Sequence, residues 1–131
     1  MGPQAKSLTE EDMHDLGAFY ASKKMMPNVP TEADKALYEQ GERIYKAGVA
    51  GKTVTACMVC HGPTGDGHPA VGFTRLAGQH ATYVEAQLRA FRTGGRSDPD
   101  RMMPDVTAQI SDDEIRAVSS YISTLSAPPK P

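Results

Sequence analysis

One pentapeptide, Cys57-Met58-Val59-Cys60-His61, contains both cysteines of the chain and spaces them as C-x-x-C-H. That spacing is the signature of covalent haem attachment. Two thiols one helical turn apart share a face of a short helix, where they can add to the two vinyl groups of a haem. The histidine directly after the second thiol is then placed to ligate the iron from the proximal side. A protein built around such a group needs less apolar bulk of its own. The chain has 131 residues, 39% of them hydrophobic, with three Phe and no Trp.

Competing uses of the motif explain less. A structural zinc site takes four ligands, and a C-x-x-C pair needs a second Cys or His pair. The other histidines, His14, His68 and His80, show no ligand spacing. A thioredoxin-like redox pair sits in a βαβ pattern, and nothing before Cys57 reads as a buried strand. A plain disulfide leaves His61 without a role.

The net charge of −2 and pI near 6.0 give no field that favours nucleic acid or an anionic membrane. The apolar runs are too short for a transmembrane helix. The opening MGPQAKSLTEED lacks the basic start and apolar centre of a signal peptide. Thioether attachment takes place outside the bacterial cytoplasm, so the expected location is the bacterial periplasm, with the leader removed. Ten Pro and twelve Gly point to short helices joined by ordered loops, an all-α architecture.

The patterning predicts four helices besides the motif. Residues 8–24 read as an amphipathic helix capped by Thr9, with acids in the first turn and lysines in the last. Leu8, Met13, Leu16 and Tyr20 fall near helical spacing. Pro27 and Pro30 break it, making 25–34 a linker. A helix from about Thr31 to Ala47 carries Leu37, Gly41, Ile44 and Tyr45 on its packing side. Gly41 inside a helix costs about 1 kcal/mol relative to Ala, a cost that close approach by a second helix would justify. Residues 62–79 read as loop, 80–93 as a helix packing through Val84, Leu88 and Phe91, and 94–105 as loop again. The last helix, 111–125, opens with the capping box Ser111-Asp112-Asp113-Glu114 and packs through Ile115, Val118, Tyr121, Ile122 and Leu125. Residues 126–131 are a tail.

Iron held by His61 needs a distal ligand or an open position. Met103 is the favoured candidate, with Met102, His68 and His80 as alternatives; a thioether ligand raises the potential and suits electron transfer. Pro104 restricts Met103 to extended backbone and would hold a loop across the haem face. The His61 ring should donate its other N–H to a backbone carbonyl, with Pro69 and Thr74 as candidates. Arg92, Arg96 and Arg101 are weaker candidates as partners for haem propionates.

Residues 8–22 also overlie 110–124 with hydrophobic matching at Leu8/Ile110, Met13/Ile115, Leu16/Val118 and Phe19/Tyr121, and the capping acids coincide. At the same offset Met1 falls on Met103. A repeat of about 100 residues is the size of a small domain. It makes residues 1–24 the closing helix of a preceding domain, attached to a haem domain at 35–125. That helix would then need cover, from its own fold or from a second chain as a homodimer.

The combination CxxCHGPxGxG, LAGQH-x-x-Y-x-x-x-QL-x-x-FR-x-G-x-R, the MM pair and SD-x-EI-x-A-V-x-x-YI resembles class I cytochromes c, in particular the second domain of dihaem cytochromes of the c-four type. GERIYKAG resembles that family's first helix, and the likeness covers about residues 35–125. It implies short helices and loops wrapped around one covalent haem c, with the first and last helices crossing where Gly41 and Tyr45 meet Tyr121. It implies Cys57 and Cys60 as thioether anchors, His61 as proximal and Met103 as distal iron ligand, and no catalytic residues. Thr74 stands where the family often has Pro. The expected role is electron transfer between redox proteins, a donor and a terminal oxidase or other acceptor, through the haem edge near the Cys57–Cys60 loop. The alternatives are an electron-input domain of a larger oxidoreductase, or a sensing or peroxidatic haem with a labile Met103.

Overall fold

The structure is a computed structural model that describes residues 2–23, 26–31 and 34–126. Its helices are α1 (Gly2–Ala5), α2 (Glu10–Ala21), α3 (Lys35–Ala47), α4 (Cys57–His61), α5 (Ala81–Thr93), α6 (Met102–Thr107) and α7 (Asp112–Thr124). Between α4 and α5 lie a 3-10 turn at Pro69–Val71 and a single antiparallel bridge pairing His68 with Phe73. The expected tail beyond Ser126, and Met1, fall outside the described residues.

α3 and α7 are the two helices that cross at closest range, and the cause is Gly41. A Cβ at that position would overlap the carbonyl oxygen of Ala117 and lie 2.8 Å from the Tyr121 Cβ. Without one, the two backbones come together and seal Ile44, Tyr45, Val118 and Tyr121 in one core cluster. Tyr121 stacks between Tyr45 and Tyr38, with ring centroids 5.4 and 5.2 Å away. This is the crossing that the helix-interior glycine predicted.

α7 starts where its sequence says it should. The Ser111 hydroxyl accepts from the Glu114 N–H, and the Glu114 carboxylate accepts from the Ser111 N–H at 2.7 Å. Lys52 adds an ion pair to Glu114 at 2.7 Å and ties the loop before α4 to this helix start. α5 lies against the other side of α7 through Val84 and Leu88. Arg89 and Arg92 both reach Asp112, and Arg92 also donates to the Ile110 carbonyl at 2.8 Å.

α2 is capped as predicted, with a reciprocal box between Thr9 and Asp12. Among the described residues it buries none of its own side chains and packs against no other helix. Phe19 and Tyr20 are 54% and 69% exposed, and Met13 and Leu16 are exposed beside them. The linker returns to the domain at Asn28, whose N–H donates to the Ser123 carbonyl at 2.8 Å.

Four expectations change. α2 ends at Ala21 with Ser22 as its C-cap, so no lysine lies in its last turn. α3 begins at Lys35 rather than Thr31, after a turn in which the Asp34 N–H donates to the Thr31 carbonyl. The 62–79 stretch is not wholly irregular, because Pro69 starts a 3-10 turn whose flanks bridge. Residues 102–107 form a helix, so Met103 is helical rather than extended. Pro104 is compatible with this because it sits in the first turn, where a proline's missing N–H has no intrahelical partner to lose.

Candidate functional site

The five residues of α4 carry both thiols and the imidazole. Gly62 terminates it at φ 80°, and its N–H donates to the Met58 carbonyl. The loop then folds back on itself. Gly67 donates to the His61 carbonyl at 2.9 Å, and Gly65 accepts from both Leu76 and Ala77 at 2.8 Å. Gly67, at φ 75°, lets residues 73–75 pass close: a Cβ there would lie 2.6 Å from the Phe73 oxygen and 2.7 Å from the Arg75 nitrogen. This close passage carries the Thr74 carbonyl to His61. The distance from its oxygen to His61 Nδ1 is 2.8 Å. A carbonyl only accepts, so Nδ1 carries the proton and Nε2 keeps a lone pair for a metal. Of the two candidate carbonyls, Thr74 is the one used, although no proline stands at that position.

His61 itself is buried, at 8% exposure. Its other restraint comes from α3, where the buried Tyr45 donates its hydroxyl to the Gly62 carbonyl at 2.6 Å. Burial, reinforced by the nearby Cys57, pushes the Tyr45 phenol well above its usual range, so it remains a donor at all ordinary pH. Both cysteines are free, half-buried thiols. Burial pushes Cys57 up to about 11, so its thiol keeps its proton at neutral pH. Among the described residues no group of three or more His, Cys, Asp or Glu side chains gathers as a metal site.

Met103 lies on α6. Its N–H donates to Asp98 Oδ2 at 3.0 Å, and its carbonyl accepts from the Thr107 hydroxyl at 2.8 Å. Met103 is half-buried, whereas Met102 is 44% exposed and His68 and His80 are exposed. α4 packs on α3 and α6 packs on α5, and α3 and α5 each pack on α7. No Cα of α4 comes within 8 Å of one in α6. The imidazole and the thioether thus stand on separate arms that do not close on each other. Two free thiols, a tautomer-fixed imidazole and a thioether on a separate arm are a donor set that suits a thioether-linked haem.

Each of the three arginines has a contact within the protein. Arg92 joins α5 to the start of α7, Arg96 donates to Gln87 Oε1 at 2.7 Å and covers the Phe91 ring, and Arg101 pairs with Asp105 at 3.5 Å. Reading the sequence alone missed Asp98 and Thr107. An Asp-Pro pair signals a turn, but nothing in it signals that the carboxylate reaches an amide five residues on.

Comparison with known proteins bears on the same domain. The cytochrome c family model matches residues 38–126. Cytochrome c4 of Pseudomonas aeruginosa is 41% identical over 91% of this chain and 59% of its own length. A thiosulfate dehydrogenase electron acceptor of Stutzerimonas stutzeri is 34% identical over 95% of this chain and 58% of its own. Among solved structures, reduced recombinant cytochrome c4 from Pseudomonas stutzeri superposes with a TM-score of 0.85 at 35% identity, covering 94% of this chain and 64% of that one. The chain therefore spans less than two thirds of the length of these relatives. The matched segment runs from α3 through α7 and takes in the C-x-x-C-H helix, the Thr74 loop and the methionine arm, and on that match the chain belongs to the cytochrome c family, whose cofactor is covalently attached haem c.

Proposed function

We propose that this chain is a single-electron carrier holding one haem c through Cys57 and Cys60, with His61 Nε2 and the Met103 thioether as axial ligands. The observation that carries the reading is the hydrogen bond from His61 Nδ1 to the Thr74 carbonyl, which orients the imidazole and leaves Nε2 for iron. When bound, haem c supplies the one-electron ferric/ferrous couple. The chain's own residues hold it and limit access. Tyr45 bonds the Gly62 carbonyl and Thr74 fixes His61, Asp98 and Thr107 fix the Met103 backbone, and a haem held by both His61 and Met103 would have no position left for a substrate. Val59, the exposed middle residue of α4, lies on the surface we assign to redox partners, a donor and an oxidase or other acceptor. The relatives described as cytochrome c4 and as an electron acceptor support this role.

Purified holoprotein should carry one haem's worth of covalent mass and show a c-type α band on reduction. A high-spin spectrum, or reduced protein that takes up carbon monoxide at once, would sink the two-ligand reading and favour the sensing or peroxidatic alternative.

We also read the chain as the second domain of a c4-type dihaem protein of the bacterial periplasm, residues 1–24 being the closing helix of the domain before it. Among the described residues no helix is long and apolar enough to cross a membrane. The exposed apolar side of α2, which repeats the pattern of buried α7, supports this division. In isolation that side is open to a second copy. Sedimentation of holoprotein should show concentration-dependent dimerisation, and substituting Leu16→Glu should abolish it; a monomer at all concentrations removes the homodimer.

A further inference from the structure

The segment that presents Met103 contains the one non-glycine residue with positive φ among the described residues, Arg101 at 55°. Side chains rarely adopt that conformation, and it persists where surrounding contacts over-determine it. Here they come from one residue on both sides of the strained position. The Asp98 carbonyl accepts from the Arg101 N–H at 3.0 Å, and the Asp98 carboxylate accepts from the Met103 N–H, also at 3.0 Å. Beyond it, Asp105 donates to the Arg101 carbonyl and fully buried Thr107 donates to the Met103 carbonyl. Both polar groups of the Met103 backbone are therefore pinned, the N–H by a half-buried carboxylate. α6 packs on α5, and its Val106 packs against the cluster of Val54, Ile110 and Ile115, while the turn before it sets where the Met103 side chain begins.

From this we infer that Asp98 is a latch: a positioning residue that keeps the Met103 thioether on the iron by holding the Met103 amide, and whose loss lets the distal ligand swing off. The inference rests on Met103 being the distal ligand. Asp98 touches neither iron nor substrate and acts only through the Met103 backbone. A hydrogen bond to an ionised acceptor is among the stronger kinds, so removing it should measurably raise the population in which the distal position is open.

The test uses reduced holoprotein and carbon monoxide, which binds only when the distal ligand is off. Asp98→Ala should bind carbon monoxide about tenfold faster than the parent, the change that about 1.4 kcal/mol makes in an opening equilibrium. Asp98→Asn, whose amide oxygen still accepts from the Met103 N–H, should stay within about threefold of the parent. Met103→Ala should bind without any gating step. A Met103→Ala protein as slow as the parent overturns the ligand assignment itself. A fast Met103→Ala beside an Asp98→Ala no faster than the parent leaves that assignment standing and overturns the latch. Asp98→Asn behaving like Asp98→Ala also overturns it, because the hydrogen bond would then not be the agent. Should Asp98→Ala fail to fold, Asp98→Glu moves the acceptor by one methylene; a several-fold gain supports the latch and no gain overturns it.

Discussion

Gly41→Ala is the sharpest test of how this fold is held together, because two effects of known sign oppose each other. Alanine favours an α-helix over glycine by about 1 kcal/mol, so propensity alone predicts a more stable protein. The structure predicts the reverse. The added methyl would overlap the Ala117 carbonyl oxygen and lie 2.6 Å from its carbon. Those are backbone atoms of a hydrogen-bonded helix and cannot rotate aside, so α3 and α7 must separate. Overpacking of this kind costs roughly 1–3 kcal/mol, with a backbone clash at the upper end. The net is a loss of about 2 kcal/mol, or a fall in Tm of about 10 °C for a domain of this size. Thermal and urea unfolding of the holoprotein measure it. Gly17→Ala in α2 is the internal control, since a Cβ there meets nothing within 4 Å and α2 packs on no other helix. It should leave the Tm of the domain unchanged. A Gly41→Ala protein that melts at or above the parent would refute the close-crossing argument.

Two further outcomes follow from single contacts. Tyr45→Phe keeps the ring between α3 and α7 and removes only the hydroxyl bond to Gly62, whose carbonyl still accepts from Gly65 at 3.2 Å; stability should fall by about 1 kcal/mol, seen as a lower urea midpoint with unchanged slope. Asp112 is exposed but grips Arg89 and Arg92, and those hydrogen bonds hold its carboxyl down to about 2 from an ordinary 3.8. A carboxyl depressed on folding stabilises above its unfolded value, and that stabilisation is lost as pH falls from about 4 through about 2. Urea titrations across that range should show a shallower acid loss in Asp112→Asn than in the parent, and identical acid slopes would show that the pair contributes nothing.

The sequence by itself determined the elements whose causes are local. Ser111 and Glu114, like Thr9 and Asp12, close their caps within four residues, so the starts of α7 and α2 were legible. The C-x-x-C-H spacing is a property of one helical turn, and an interior glycine at Gly41 is costly enough to announce a crossing. Sequence also marked an apolar side on α2, but only the tertiary structure shows that the described chain leaves it uncovered. Met103 shows where local rules fail. The residue before a proline is biased towards extended backbone, yet a carboxylate from Asp98 and a hydroxyl from Thr107 stabilise a helical turn in which Pro104 forfeits no hydrogen bond. Thr74 was one of two candidate carbonyls until Gly67 let residues 73–75 pass close to the loop that follows α4. Each of these outcomes depends on contacts between segments that sequence order keeps apart. Their energies arise only once the chain has closed, whereas a cap or a ligand spacing is written into neighbouring residues.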